Sequence, residues 1–185
     1  MIFDWLNSKE EALKNGIVGK EILGSEFITM QADDGIVAHH TFRNFDRLTF
    51  TENTLIENCI FVNCAEIDFD TCQIHQCEFR RVDNIIAEEC NFINSKFTEM
   101  KCDEDLVVME LSDCKISHCR FDNITIGKGA YLINGFGNTW FACCQFCNIR
   151  TADANQEITL GEKNVGKILK RKQRYSIVDI DSCML

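Results

Sequence analysis

A small residue, a spacer and a phenylalanine recur five times in this chain, at Cys59-Ile60-Phe61, Cys77-Glu78-Phe79, Ser95-Lys96-Phe97, Cys119-Arg120-Phe121 and Cys144-Gln145-Phe146. A sixth, earlier copy contains Phe42 and lacks the cysteine. The intervals between successive phenylalanines are 19, 18, 18, 24 and 25 residues. A period of about 20 residues is typical of a solenoid, in which each repeat buries its apolar face against its neighbours.

The buried-type residues between these phenylalanines are separated by gaps of two and three. The predicted inward positions are 59, 61, 64, 67, 69, 72, 74, 77, 79, 82, 85, 87, 90, 92, 95 and 97. A gap of two keeps both side chains on one face of a strand, and a gap of three takes the chain round a corner. The pattern predicts an all-β chain that turns repeatedly, because residues at these spacings would spread around the circumference of a helix.

Two segments carry a family resemblance, Cys-x-Phe-x-x-Cys at 59–64 and Cys-x-Ile-x-x-Cys-x-Phe at 72–79. They resemble pentapeptide repeats, in which a large apolar residue is the centre of each five and a small residue lies two before it. The resemblance covers roughly residues 41–149, although coils of 18 residues replace the four-by-five ideal of the family. It implies an all-β fold: a right-handed parallel β-helix, or solenoid, of about six coils.

The sequence divides into three segments of one folding unit: an N-terminal head at 1–40, the repeat body at 41–150 and a C-terminal cap at 151–185. In the head, Ser8 and Glu11 form a capping box, which predicts a helix that ends at Asn15-Gly16. Residues 26–30 are strand-like and indicate an irregular first coil, because Phe27 and Met30 copy the spacing of the repeat.

The tail is expected to cap the solenoid. Val165, Ile168 and Leu169 have helical spacing, which predicts an amphipathic helix with a basic outer face. Residues 176–180 are expected to form a strand that covers the open edge of the last coil. Within the body, the two long intervals contain insertions at 101–110 and 127–139, which are expected to project as loops and to make specific contacts.

Charge limits the classes of partner. The net charge of −10 disfavours direct binding to nucleic acid and to anionic membranes. It favours a basic protein partner, although solubility alone is an equally simple reason for it, and a homodimer stays open. The basic segment at 163–174 could pack on the acidic body of its own chain or on that of a partner.

Most of the twelve cysteines are interpreted as core residues of a protein in the reducing cytoplasm, while Cys147 is expected to point outward. The N-terminus has no signal-peptide pattern, and other coils place Ser, Val, Met or Ile at the positions that these cysteines occupy. Cys144 and Cys147 form a CxxC pair without two further ligands nearby, so no metal and no cofactor are expected.

No residue spacing indicates a catalytic site. The preferred hypothesis is a non-enzymatic acidic protein-binding module, in its most specific form an inhibitor or immunity protein that neutralises a basic toxin or nuclease. Two alternatives stay open: a DNA mimic that binds a type II topoisomerase, as in the quinolone-resistance group of pentapeptide-repeat proteins, and a carbohydrate-active β-helix enzyme that uses clustered carboxylates. The predicted partner-binding residues are Asp68, Asp70, Asp83, Glu88, Asp103, Glu104 and Asp105.

Overall fold

The computed structural model describes residues 21–23, 28–31, 35–51, 53–103, 106–128, 130–151, 168–171 and 174–177. These residues form four sheets of short strands and contain no helix. The strands of the repeat body all pair in parallel with their neighbours one coil away, as in a parallel β-solenoid.

The two largest sheets are called A and B. Sheet A contains, in the order of pairing, β1 (Glu21–Leu23), β4 (Thr41–Arg43), β7 (Ile60–Val62), β10 (Glu78–Arg80), β13 (Lys96–Thr98), β17 (Arg120–Asp122), β21 (Gln145–Cys147), β24 (Arg174–Ile177) and β23 (Ile168–Arg171). Sheet B contains β19 (Tyr131–Phe136), β15 (Val107–Ser112), β11 (Asn84–Glu88), β8 (Glu66–Asp70), β5 (Arg47–Thr51) and β2 (Ile28–Gln31).

The two smaller sheets complete the coils. Sheet C contains β20 (Trp140–Ala142), β16 (Lys115–Ser117), β12 (Asn91–Ile93), β9 (Gln73–His75), β6 (Leu55–Glu57) and β3 (Ile36–Ala38). Sheet D contains β14 (Lys101–Cys102), β18 (Thr125–Ile126) and β22 (Arg150–Thr151). The chain visits sheets A, B and C in turn, and the later coils add a short strand of sheet D between A and B.

Sheet D corrects the expectation that both long intervals project as loops. The insertion at 101–110 begins with β14 and continues into the six-residue strand β15. The insertion at 127–139 lies between β18 and β20 and contains the six-residue strand β19, which pairs with β15. The extra residues of these coils therefore lengthen sheet B and add a fourth side, since the open edges of the preceding strands offer backbone partners to them.

The phenylalanine repeat forms one continuous stack inside the solenoid, as the sequence predicts. Adjacent rings lie 4.5 to 5.0 Å apart and within 8° of parallel. The stacked residues are Phe42, Phe61, Phe79, Phe97, Phe121 and Phe146. Every inward position predicted between 59 and 97 is buried, which confirms the gaps of two and three as the pattern of the core.

The corner after each of the six strands β4, β7, β10, β13, β17 and β21 of sheet A is formed by a residue with positive φ. Four of these residues are asparagines, the side chain best suited to this conformation after glycine: Asn44, Asn63, Asn123 and Asn148. The Asn63 side-chain amide also donates to the Asn44 side-chain oxygen one coil away at 3.1 Å. These two asparagines therefore combine a left-handed turn with an amide contact between coils.

The stacked cysteines fill the core and also satisfy the backbone at the corners. The Cys77 thiol donates to the carbonyl oxygens of His75 at 3.3 Å and Ile56 at 3.5 Å. The Cys77 backbone amide donates to the Ser95 hydroxyl at 3.2 Å, one coil further on. A thiol or hydroxyl on Cβ is therefore suited to this corner, which explains why serine replaces cysteine there.

The N-terminal strands continue the solenoid. Ile22 of β1 pairs with Phe42, Met30 of β2 pairs with Phe50, and Val37 of β3 pairs with Ile56, so these three strands are in register with the body. The strand expected at 26–30 is confirmed from Ile28 onward, while Phe27 lies outside the described residues. The helix expected between Ser8 and Gly16 lies outside the described residues.

The C-terminal helix is not supported where the chain is described. Ile168 and Leu169 lie in β23, which pairs antiparallel with β24, and β24 pairs antiparallel with β21 of the last coil. The unpaired backbone groups of β21 favour a strand over the local helical pattern. The strand expected at 176–180 is confirmed for residues 176 and 177, while residues 178–180 and Val165 lie outside the described part.

Candidate protein-binding surface

The outer face of sheet B brings carboxylates from different coils together. Asp70 pairs with Glu88 on the next coil, and Asp68 pairs with Ile86, which in turn pairs with Glu110. These side chains point away from the core because the alternate residues Ile67, Phe69, Ile85 and Ala87 point into it. The set Asp70, Glu88 and Glu110 is called the acidic face below.

Asp68 is already paired within the chain. Its Oδ2 atom accepts a hydrogen bond from Arg47 Nε at 2.7 Å and lies 3.5 Å from the Thr49 hydroxyl. The hydrogen bond to Asp68, followed by the attraction between the two charges, raises the pKa of the Arg47 guanidinium. Asp68 is therefore part of an ion pair on the outside of the coil and offers less charge to a partner than a free carboxylate.

The acidic face is not neutralised by the described part of the chain. Asp70, Glu88 and Glu110 are all exposed and form no ion pair with any described residue. Asp70 accepts one hydrogen bond, from the Thr71 hydroxyl at 2.8 Å. No basic side chain in the described part of the chain therefore compensates these three charges.

Two carboxylates on the outer face of sheet A, in contrast, form ion pairs within the chain. Glu78 lies 2.6 Å from Arg80 and 3.9 Å from Lys96. Asp122 lies 2.6 Å from Arg120, and its other oxygen accepts a hydrogen bond from Asn148 at 2.8 Å. Glu78 and Asp122 on sheet A therefore have cationic partners, as Asp68 on sheet B does, whereas the three carboxylates of the acidic face have none among the described residues.

Two of the predicted binding residues lie elsewhere. Asp83 lies at the corner that leads into β11, and Asp103 follows β14 and forms an ion pair with Lys101 at 2.8 Å. Partial burial, followed by repulsion from Asp103, raises the pKa of the Asp83 carboxyl, so these two acids lie near each other. Glu104 and Asp105 lie outside the described residues. The structure thus separates the predicted set into Asp68, Asp70 and Glu88 on the outer face of sheet B and an Asp83–Asp103 pair at its corner.

Glu110 and the exposed apolar residues Tyr131 and Phe136 are not among the residues predicted from the sequence. Glu110 lies between the inward residues Met109 and Leu111, so strict alternation would have placed it outward. Tyr131 and Phe136, at the two ends of β19, are 49% and 53% exposed. The expectation that 127–139 forms loops concealed the strand and therefore the direction of these side chains.

A hydrogen-bonded turn fixes the Phe136 end of β19. Asp113 Oδ1 accepts bonds from the backbone amide of Asn138 at 2.8 Å and from its side chain at 3.2 Å. The backbone bond is the main reason that the pKa of Asp113 lies below its ordinary value. Gly137 has a φ of +60°, and a Cβ atom there would lie 2.5 Å from Asp113 Oδ1, so the turn requires glycine.

The described residues contain no group of three or more His, Cys, Asp or Glu side chains suited to a metal ion. Cys144 of the CxxC pair is buried in the core, Cys147 is half-buried and Cys143 is exposed. Burial raises the pKa of the Cys64 thiol to about 11, and burial is also the main reason that the pKa of the Cys102 thiol is raised. Buried thiols of this kind are held in the neutral form, which is not the nucleophilic one.

A shallow groove runs along the corner between sheets A and D. Its lining residues, which do not include Asp68 or Asp70, are Glu99, Met100, Lys101, Asn123, Thr125, Asn148 and Arg150.

None of the described segments forms a helix that is long and apolar enough to cross a membrane. No protein-family model and no curated protein matches this chain.

Proposed function

We propose that this protein is a non-enzymatic protein-binding module whose acidic face engages a basic protein. The observation that carries the proposal is the contrast between Asp70, Glu88 and Glu110, which have no cationic partner among the described residues, and Glu78 and Asp122 on sheet A, which have one. A solenoid backbone holds these carboxylates at fixed spacing before the partner arrives.

Such a surface acts mainly on the rate and specificity of association. Uncompensated like charges on one face attract a basic partner and repel an acidic one, and they do so most strongly at low ionic strength. Because the coils are held by backbone pairing and a packed phenylalanine core, little conformational entropy is lost when the face is covered.

The most specific form of this proposal is an inhibitor or immunity protein that neutralises a basic toxin or nuclease. The acidic charge and the free carboxylates support this form. Eleven described cysteines are free thiols, and this supports the further proposal that the protein works in the reducing cytoplasm. The test is co-expression with the product of the neighbouring reading frame, followed by co-purification. Recovery of a basic protein is expected, and the absence of any protein partner would contradict the proposal.

Charge variants test whether the acidic face is the contact. The double variant Glu88→Gln with Glu110→Gln should lower the association rate for the recovered partner several-fold at low salt and weaken its salt dependence. The control is Asp46→Asn with Glu57→Gln, which removes the same charge from positions outside the acidic face. Equal effects of the two double variants would mean that net charge, and not this face, drives binding.

DNA mimicry remains the alternative proposal for the same acidity. It gains less support, because a DNA mimic needs an even row of negative charges along its axis. One outward column of sheet B instead alternates charged with uncharged side chains, in the order Asp68, Ile86, Glu110 and Asn134. A gyrase supercoiling assay separates the two, since a mimic should inhibit supercoiling at a concentration near that of the enzyme.

The carbohydrate-active enzyme is a third proposal, on Asp68 and Asp70. The ion pair of Asp68 with Arg47 gives it little support, because a general acid has to exchange its proton. Alanine at both positions, assayed against a panel of polysaccharides, tests it.

We also propose that the coils are right-handed and that the chain is a degenerate pentapeptide-repeat protein. Support comes from the steps of five between Ile67, Cys72 and Cys77, all of which point into the core. Parallel crossover connections are right-handed in the great majority of proteins, which supports the same handedness. An experimental electron-density map would show the winding directly.

A further inference from the structure

We propose that Phe136 is the apolar anchor beside the acidic face, and that the occupant is a cationic protein segment in which an apolar side chain lies at one end of a run of lysine or arginine side chains. This inference rests on the proposed function, since it names the chemistry of the partner at the same surface. It adds that charge alone is insufficient for tight binding.

Phe136 lies in the same column as two of the free carboxylates. The register of sheet B aligns Asp70, Glu88, Ser112 and Phe136 on successive coils. At a strand spacing of about 4.8 Å, Phe136 lies about 10 Å from Glu88 and about 14 Å from Asp70 along the solenoid axis. Glu110 belongs to the adjacent outward column, where it pairs with Asn134. One extended segment of a partner can therefore contact the ring and the carboxylates together.

The exposure of Phe136 is unusual in this molecule. The ten largest side chains that are fully buried are all phenylalanines, whereas Phe136 is 53% exposed. Of the five large apolar side chains that are exposed in the described residues, Leu106, Tyr131 and Phe136 all lie in or beside β15 and β19. Most of the exposed apolar surface thus lies at the end of sheet B that adjoins the acidic face, where apolar and charged contacts can be made together.

The backbone that carries Phe136 is held in place. Its carbonyl oxygen accepts a hydrogen bond from the Thr139 hydroxyl at 2.7 Å, and the turn that follows is fixed by Asp113. An aromatic side chain on a fixed backbone loses little entropy on binding, so it suits the role of an anchor.

The chemistry of the occupant follows from the charges around the ring. Glu88, Asp70 and Glu110 require cations opposite them, and Phe136 requires an apolar side chain next to those cations. A nucleic acid would place phosphates against these carboxylates and is therefore disfavoured. A basic protein segment with an apolar residue beside its cationic residues satisfies both requirements.

Two synthetic polymers of equal length test this inference: polylysine, and a copolymer of lysine and phenylalanine. Binding of the labelled polymers to the full-length protein is measured by fluorescence anisotropy at low salt. The wild type should bind the copolymer at least about tenfold more tightly than polylysine, since one buried aromatic contact contributes that much. Phe136→Ala should remove this difference and leave polylysine binding unchanged.

Tyr131→Ala is the matched control, because Tyr131 is an aromatic residue on the same strand with nearly the same exposure, at the end away from Phe136. It should retain the preference for the copolymer. Equal losses in the two variants, or no preference in the wild type, would overturn the anchor. Thermal melts that match that of the wild type would show that each variant is folded, and a variant that melts earlier is replaced by Phe136→Leu and Tyr131→Leu.

The outcomes also separate this inference from the proposed function. If Glu88→Gln with Glu110→Gln weakens both polymers while Phe136→Ala changes neither, the acidic face stands and the anchor fails. If the charge variant has no effect on either polymer, or neither polymer binds, both proposals fail. Co-sedimentation with neutral phosphatidylcholine vesicles that is lost in Phe136→Ala would assign the ring to a lipid surface and overturn the inference.

Discussion

The ring of Phe79 lies flat on the ring of Phe97, with the two centroids 4.9 Å apart and the ring planes 6° from parallel. This distance is close to the spacing of neighbouring strands, because the register of β10 and β13 places the two residues directly above one another. Phe61 stacks on the opposite face of Phe79 at the same distance of 4.9 Å. The stacking of the rings therefore follows from the pairing of the coils, and a substitution within the stack should destabilise the whole solenoid.

Phe79→Ala should lower the free energy of unfolding by about 3–5 kcal/mol, because the cavity cannot close between two rings that are fixed by backbone pairing. Urea denaturation followed by circular dichroism measures it. Phe136→Ala provides the control: the same substitution at an exposed position should cost less than about 0.5 kcal/mol. A melt of the Phe79→Ala variant that matches that of the wild type would disprove the register of the core.

Asn63→Ala should destabilise the protein by about 1–2 kcal/mol, since alanine tolerates a positive φ poorly and cannot donate to Asn44. Asn63→Gly should cost less than Asn63→Ala, because glycine relieves the backbone strain and loses only the hydrogen bond. The two variants are compared by chemical denaturation. Equal destabilisation would show that the side-chain hydrogen bond matters and the left-handed conformation does not.

Alkaline pH should weaken the fold through Cys64. Its pKa is raised from 9.0 to about 11 by burial, so above pH 9 the unfolded chain loses this proton while the native chain keeps it. The native state then binds more protons, and its stability falls as pH rises from 9 to 11, by at most about 3 kcal/mol from this group. Below pH 9 this contribution is fully present.

Cys64→Val isolates that effect. Val82 occupies the equivalent buried corner on the next coil, so valine is compatible with the site. The variant should lose less stability than the wild type between pH 9 and 11, measured by urea denaturation at each pH. Identical pH profiles would show that the Cys64 thiol is not the titrating group.

Thiol reactivity should follow burial. Among the cysteines that the structure describes, Cys143 is exposed, Cys147 is half-buried and the others are buried. In the native protein at pH 8, Cys143 should react first with Ellman's reagent, and Cys143→Ser should remove the fast phase. Rapid reaction of Cys77, located by mass spectrometry, would contradict its place in the core, where burial raises the pKa of its thiol.

The inward residues and the corners followed from the sequence because both depend on local geometry. On a pleated strand, a gap of two keeps both side chains on one face, and a gap of three indicates a corner. Asparagine tolerates the positive φ of such a corner better than most other residues do. For the same reason the phenylalanine column could be aligned from Phe42 to Phe146 without knowledge of the fold. The place of Ile22 beside Phe42 was not predicted, since Ile22 joins this column by backbone pairing and not by residue type.

The candidate surface depended on contacts across coils, which residue spacing alone does not give. Asp68 and Asp70 have the same pattern in the sequence, yet Arg47, 21 residues from Asp68, pairs with Asp68 and leaves Asp70 free. Glu110 and Phe136 became visible only once β15 and β19 were paired in sheet B.

The sequence by itself determined a coiled all-β chain, its core residues and its phenylalanine stack, because a repeated local pattern dictates them. The tertiary structure decided the rest: that Ile168 and Leu169 extend a sheet instead of a helix, that the insertions add sheet D, and which carboxylates stay unpaired. Each of these outcomes depends on a contact with the neighbouring coil: an unpaired strand edge in the first two cases and a basic side chain in the third. The register of the strands decides these contacts, because it brings together residues that are distant in the chain.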